Sequence, residues 1–207
     1  MPDVGATNID AGRNSVNNPR QPPREMVCPP AGEVALPVAT DRDYPAREVP
    51  MNNVKLPLSG GCQCGALRYE VSAAPLMIYA CHCTTCQTQT GSAFVVSATV
   101  AEDALTFTSG EPQRIEWSAA SGNGRVGLFC GACGTRIANA GVPSIGIYSL
   151  RAGTLDDTSW VRPAGHTWMK SAQPWFRPDP DDVVTDEQPT DYAPFVLRFS
   201  TFQSFSD

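Results

Sequence analysis

The sequence predicts a mainly β protein, with antiparallel sheets built around a structural zinc ion and a proline-rich arm in front. Three observations predict it. Short runs alternate apolar and polar residues with period two, and Gly, Pro and Ser separate them. No stretch sustains a helical period. Seven of the eight cysteines fall into three close groups.

Residues 1–55 hold nine of the nineteen prolines and a single aromatic residue, Tyr44. Such a segment cannot bury enough apolar surface to offset its ordering entropy, so it reads as an extended or disordered arm. Val34, Leu36 and Val38 alternate within it and suit a short edge pairing. The zinc domain is expected over residues 56–178. Leu67, Tyr69 and Val71 alternate first, then Phe94, Val96, Ala98 and Val100. Leu105 and Phe107, Ile115 and Trp117, Val126 and Leu128, and Ile145 and Ile147 follow. The breaks at residues 109–112 and 121–124 read as hairpin turns. Thr84 to Thr90 suits one short helical turn. Residues 179–207 are expected to form a solvated acidic loop, carrying Asp179, Asp181, Asp182, Asp186 and Glu187, and a last strand from Tyr192 to Phe199.

Net charge is −6 and no Lys/Arg cluster occurs, which argues against nucleic-acid and anionic-membrane partners. No run approaches the ~20 apolar residues of a membrane span. Met1 to Asp10 lacks a basic region followed by an apolar one, so the expected location is the cytoplasm. In a reducing compartment, clustered thiols bind metal more often than they form disulfides.

The groups are Cys62-x-Cys64, Cys81-x-Cys83-x-x-Cys86 and Cys130-x-x-Cys133. Thiolates this close can share one ion, and the adjacent Gly65, Gly131 and Gly134 permit the tight turns required. Iron also takes sulfur ligands, but zinc is the better reading. Seven ligands divide naturally as four plus three. Four thiolates close a structural site, while three leave a position for water or substrate. The triplet Cys81, Cys83 and Cys86 is the natural three-ligand set. Cys62, Cys64, Cys130 and Cys133 then share the closed site, giving two zinc ions per chain. Two alternatives stay open. His82 lies between two ligands and would close the second site, although neighbours on an extended chain face opposite ways. Cys28, alone in the arm, is an ordinary thiol or a fourth ligand.

Gly60-Gly61-Cys62-Gln63-Cys64-Gly65-Ala66-Leu67-Arg68-Tyr69 resembles the opening of the glutathione-dependent formaldehyde-activating family, a grouping that takes in centromere protein V. Cys81-His82-Cys83-Thr84-Thr85-Cys86 with Thr90-Gly91-Ser92-Ala93-Phe94 resembles its central motif, and Phe129 to Gly134 its third. The region around His166, Trp168 and Trp175 resembles the family's ending. The likeness spans roughly residues 56–178. It implies an Mss4-like fold and the same partition of ligands: Cys62, Cys64, Cys130 and Cys133 for structural zinc, and Cys81, Cys83 and Cys86 for catalytic zinc. The implied reaction is that of a carbon–sulfur lyase, joining glutathione to formaldehyde as S-hydroxymethylglutathione. Where many relatives carry Arg or Lys just after the triplet, this chain has Gln87, Thr88 and Gln89, so a carboxylate contact that a basic residue there could make is absent.

The expected function is a zinc-dependent carbon–sulfur lyase adding a glutathione-like thiol to formaldehyde or a related small carbonyl. The alternatives are a non-catalytic zinc-stabilised binding module, or an enzyme of this fold acting on another small carbonyl or imine. His166 is a candidate proton shuttle, because unperturbed histidine titrates near pH ~6.5. Trp160, Trp168, Trp175 and Phe176 serve either as cleft walls or as core and rim. Arg68, Arg125, Arg136 and Arg151 are the candidates for gripping a carboxylate. The expected partners are a small thiol and a small carbonyl, with a homodimer as the assembly to test.

Overall fold

The computed structural model describes residues 52–119, 122–201 and 203–206. The proposed Val34–Val38 pairing and Cys28 lie outside them. The chain runs β1 (Asn52–Lys55), β2 (Leu58–Gly61), β3 (Arg68–Val71), β4 (Met77–Cys81), α1 (Thr84–Thr90), β5 (Val95–Ala101), β6 (Leu105–Ser109) and β7 (Gln113–Ser118). It continues as β8 (Gly124–Phe129), β9 (Arg136–Val142), β10 (Ile147–Arg151), β11 (Gly165–Thr167), β12 (Val183–Val184), α2 (Ala193–Ser200) and β13 (Gln203–Ser206).

The protein is mainly β. Eight strands form one sheet in the order β12-β11-β4-β5-β10-β9-β8-β7. Its ladders are antiparallel except where β11 runs parallel to β4 and β12. Strands β2, β3 and β6 make a second, antiparallel sheet. Strands β1 and β13 pair in parallel, so the first and last described strands lie side by side.

Alternation places one face of the large sheet in the core. Ile78, Ala98, Leu150, Ala138 and Leu128 follow one another across β4, β5, β10, β9 and β8, each 3% exposed or less. Tyr69 and Val71 of the small sheet join the same core. Burying the Ile, Leu and Val side chains among them contributes about 1.5–3 kcal/mol each. On the opposite face the same strands carry Tyr79, Ser97, Thr99, Ser149, Arg151 and Asn139. Ser97 and Thr99 are nevertheless buried, so this face is polar and largely shielded from water.

Helix α1 begins where predicted. Cys83 is extended at φ −62° and ψ 150°, and its thiol accepts the Cys86 N–H, capping the first turn. Gly91 ends the helix in the left-handed region at φ 61°.

Four expectations need correction. Tyr192–Phe199 is not a strand. Pro194 sits in the first turn of α2, and Phe195 and Phe199, four residues apart, both point into the core. The final strand is β13 instead. Residues 109–112 are not a hairpin: β6 ends on β3 at Ser109↔Arg68, whereas β7 pairs with β8 over six residues from Gln113↔Phe129. The longer ladder wins β7. Ile115 lies half-exposed on that edge strand, and Ile145 sits before β10 at 69% exposure. The acidic tail is not solvated throughout, because Asp182 has a buried side chain.

Candidate metal centre

The structure brings the cysteines together as four and three. The Sγ atoms of Cys62, Cys64, Cys130 and Cys133 all lie within 4.8 Å of one another, and so do those of Cys81, Cys83 and Cys86. All seven are free thiols. Two sulfurs bound ~2.3 Å from one tetrahedral ion would stand ~3.8 Å apart. Cys62–Cys64 at 3.5 Å and Cys64–Cys130 at 3.8 Å match that spacing without disulfide geometry. The donor set is soft sulfur throughout, which fits zinc. Each cluster could therefore bind a metal ion.

The four-cysteine cluster is built from two matching turns. After β2, Cys62 N–H donates to Leu67 O at 3.0 Å, and Leu67 N–H donates to Cys62 Sγ at 3.1 Å. Between β8 and β9, Cys130 N–H donates to Thr135 O at 2.9 Å and Gly134 N–H to Cys130 O at 2.8 Å. Gly65 and Gly134 close these turns at φ 79° and 73°, where a side chain would be strained. Thr135 Oγ1 lies 3.2 Å from Cys133 Sγ and accepts the Gln63 N–H at 3.2 Å, joining the two turns. Burial works against the Cys133 thiolate, but the Thr135 hydroxyl and N–H bring it down to about 6.

The triplet comes from one piece of chain: the end of β4, its exit and the first turn of α1. Hydrogen bonds from Cys81 and Cys86 hold the Cys83 thiol well below its usual value, while hydrogen bonds to Cys81 and Cys83 push Cys86 up.

His82 does not join the triplet. Its ring is fully buried and turned the other way, with Nε2 3.0 Å from Nδ1 of His166. His166 Nε2 lies 3.2 Å from Oδ2 of Asp182. With Asp182 ionised, His166 donates through Nε2 and accepts at Nδ1 from His82. The rings of Phe94 and Phe176 pack on His82 at 4.9 and 4.6 Å between centroids. Burial, and then the His166 charge, push His82 down to about 4; burial also lowers His166, opposed by Asp182. The sequence marked His166, but nothing in its pattern marked Asp182 as a partner.

The other candidates separate. Trp160 is core, with Phe205 edge-on at 5.6 Å, and Trp175 is exposed. Trp168 stacks under Lys170 and donates to Gln188 at 3.2 Å. Of the four, Phe176 alone packs on the His82–His166 pair. Arg68 is held by Asp156. Arg125 stands on β8 opposite Trp117. Arg136 and Arg151 both reach the polar face of the large sheet, linked through Asn139 and Gln89. A surface groove of about 560 Å³, lined by Val54, Pro57, Leu58, Asp156, Asp157 and Trp160 among others, includes no clustered cysteine.

Residues 57–171 match the model of a family described as glutathione-dependent formaldehyde-activating enzyme. No curated protein matches the sequence. Among solved structures, a structural-genomics crystal structure of a Rhodobacter sphaeroides protein aligns with a TM-score of 0.40 and 21% identity, covering 51% of this chain and 91% of that one. No described helix is long and apolar enough to cross a membrane.

Proposed function

The chain belongs to the glutathione-dependent formaldehyde-activating enzyme family, and from that premise we propose that it is a zinc-dependent carbon–sulfur lyase. It adds a glutathione-like thiol to formaldehyde or a related small carbonyl. The observation that carries this reading is the unequal pair of sulfur clusters: four cysteines drawn from two distant turns and three from one. Cys62, Cys64, Cys130 and Cys133 hold the structural ion, and Cys81, Cys83 and Cys86 hold the catalytic one. A zinc ion held by three thiolates supplies Lewis acidity and favours the thiolate form of a sulfur ligand.

In the addition, the thiol sulfur forms a bond to the carbonyl carbon. The C=O π bond opens, and the thiol proton ends on the oxygen. The chain's own contribution is to fix the triplet. His82 sits between two of its cysteines and is anchored from both ends. Its ring is tied to His166, and its carbonyl accepts the Gln87 side-chain N–H at 2.7 Å. The same amide of Gln87 reaches Ser171 O at 2.8 Å, joining α1 to the segment after β11. His82 is therefore a positioning residue, and the ring boxed by Phe94 and Phe176 is kept from competing as a ligand.

The test uses exchange NMR of glutathione and labelled formaldehyde with the metal-loaded protein. The wild type accelerates adduct exchange and carries about two zinc ions per chain. Cys83→Ser loses the acceleration and about one ion while keeping its circular dichroism spectrum. Exchange at the uncatalysed rate with both ions in place refutes the reaction.

A further inference from the structure

Arg136 and Arg151 are two sheltered cations with no carboxylate partner among the described residues. Arg151 is 6% exposed. Its Nη1 donates to Ser97 Oγ at 3.2 Å and its Nη2 to Gln89 Oε1 at 2.9 Å, both neutral acceptors. Its Nε is buried and has no hydrogen-bond partner among the described residues. Arg136 donates to Asn139 Oδ1 at 2.9 Å and lies over Trp117 and Phe129, 5.5 and 6.0 Å from their ring centroids. Asn139 Nδ2 then donates to Gln89 Oε1 at 3.3 Å, so one glutamine oxygen receives from both arginine branches.

Shielding two like charges from water without a nearby counter-ion is unfavourable. A fold that keeps them together gains when an anion arrives. Guanidinium forks match carboxylate oxygens in spacing and plane. The place is informative too. Gln89 follows Cys86 by three positions on α1, so the two lie on one face of the helix. Arg151 sits opposite Ser97, which sits opposite Tyr79, two residues before Cys81. We infer that Arg136 and Arg151 seat a carboxylate of the thiol substrate one helical turn from the triplet. This rests on the thiol-addition reading above and adds to it the residues that would recognise the thiol's carboxylate. It also supplies, from β9 and β10, the charge missing from residues 87–89.

Gly127 makes the inference testable with a small change. A Cβ there would stand 1.9 Å from Nη1 of Arg136. The guanidinium is the free end of a flexible side chain, so Gly127→Ala displaces it while the backbone stands.

The probes are glutathione, glutathione diethyl ester, S-methylglutathione, 3-mercaptopropionate and its methyl ester, titrated calorimetrically into the zinc-loaded chain. Metal content and melting midpoint are checked for every variant. In the wild type the free acids bind at least tenfold tighter than their esters. In Arg136→Gln, Arg151→Lys and Gly127→Ala that preference shrinks by tenfold or more, while ester affinity stays within twofold. Equal affinity for acid and ester, a preference that survives all three substitutions, or no binding by either free acid overturns the assignment. S-methylglutathione separates the two claims. If it binds with the same arginine dependence while exchange of glutathione with formaldehyde stays at the uncatalysed rate, the seat stands and the lyase reading falls. If adducts form equally fast from the diester, the lyase reading stands and the seat falls.

Discussion

Nε2 of His166 donates to Oδ2 of Asp182 where both side chains are under a tenth exposed, at 7% and 8%. Such a donor cannot turn to water when its acceptor is removed. Asp182→Ala is therefore expected to cost about 1–3 kcal/mol, the penalty for a stranded buried polar group. Asp182→Asn keeps a carbonyl oxygen in reach and should cost less than half as much. Urea midpoints at pH 7.5 compare the two, and equal losses would show that Asp182 acts through its charge instead. This contact was hidden in the sequence because an aspartate in a proline-containing acidic stretch reads as solvated. Only the parallel pairing of β12 with β11 brings residue 182 under His166.

Helix α2 belongs to the core as much as any strand of the large sheet. Phe195 is fully buried and Phe199 is 4% exposed. Phe195→Ala should destabilise the chain by about 3–5 kcal/mol, the usual cost of emptying a phenylalanine site. A loss under 1 kcal/mol in chemical denaturation would show that the helix merely rests on the surface. The strand expectation failed here because Phe195, Val196 and Leu197 form a short continuous apolar run, whose period cannot be read. β4 was missed for the same reason. Met77, Ile78, Ala80 and Cys81 are all buried, so this strand shows no alternation. A strand with one wet face was legible: β3, with Glu70 exposed between buried Tyr69 and Val71, was read directly from its alternating residues.

For the whole molecule, the clusters tie the architecture together. Cys64 and Cys130 are 66 positions apart, yet their sulfurs lie 3.8 Å from each other. Cys64→Ser should remove about one metal ion per chain and cost several kcal/mol, because binding energy at such a site is folding energy. Elemental analysis and thermal melts read both effects; a full metal complement with an unchanged melt would place the ion elsewhere. The cysteine groups were legible because ligand spacing is a local property of short turns. For the proposed arginine seat, Arg136 and Arg151 were two of four candidates, but their pairing was not legible. The two cations sit on different strands, and sheet register, not sequence distance, sets them around Gln89.

Assembly of the four-sulfur centre has a built-in order. On the ribosome Cys62 and Cys64 emerge long before Cys130 and Cys133, and two thiolates alone hold an ion weakly. Lasting capture must await synthesis of β8 and the turn that follows it. Ion uptake by nascent chains halted at successive lengths would then rise in one step, once residue 133 has cleared the exit tunnel. That step would mark the moment at which the small sheet is committed to the large one.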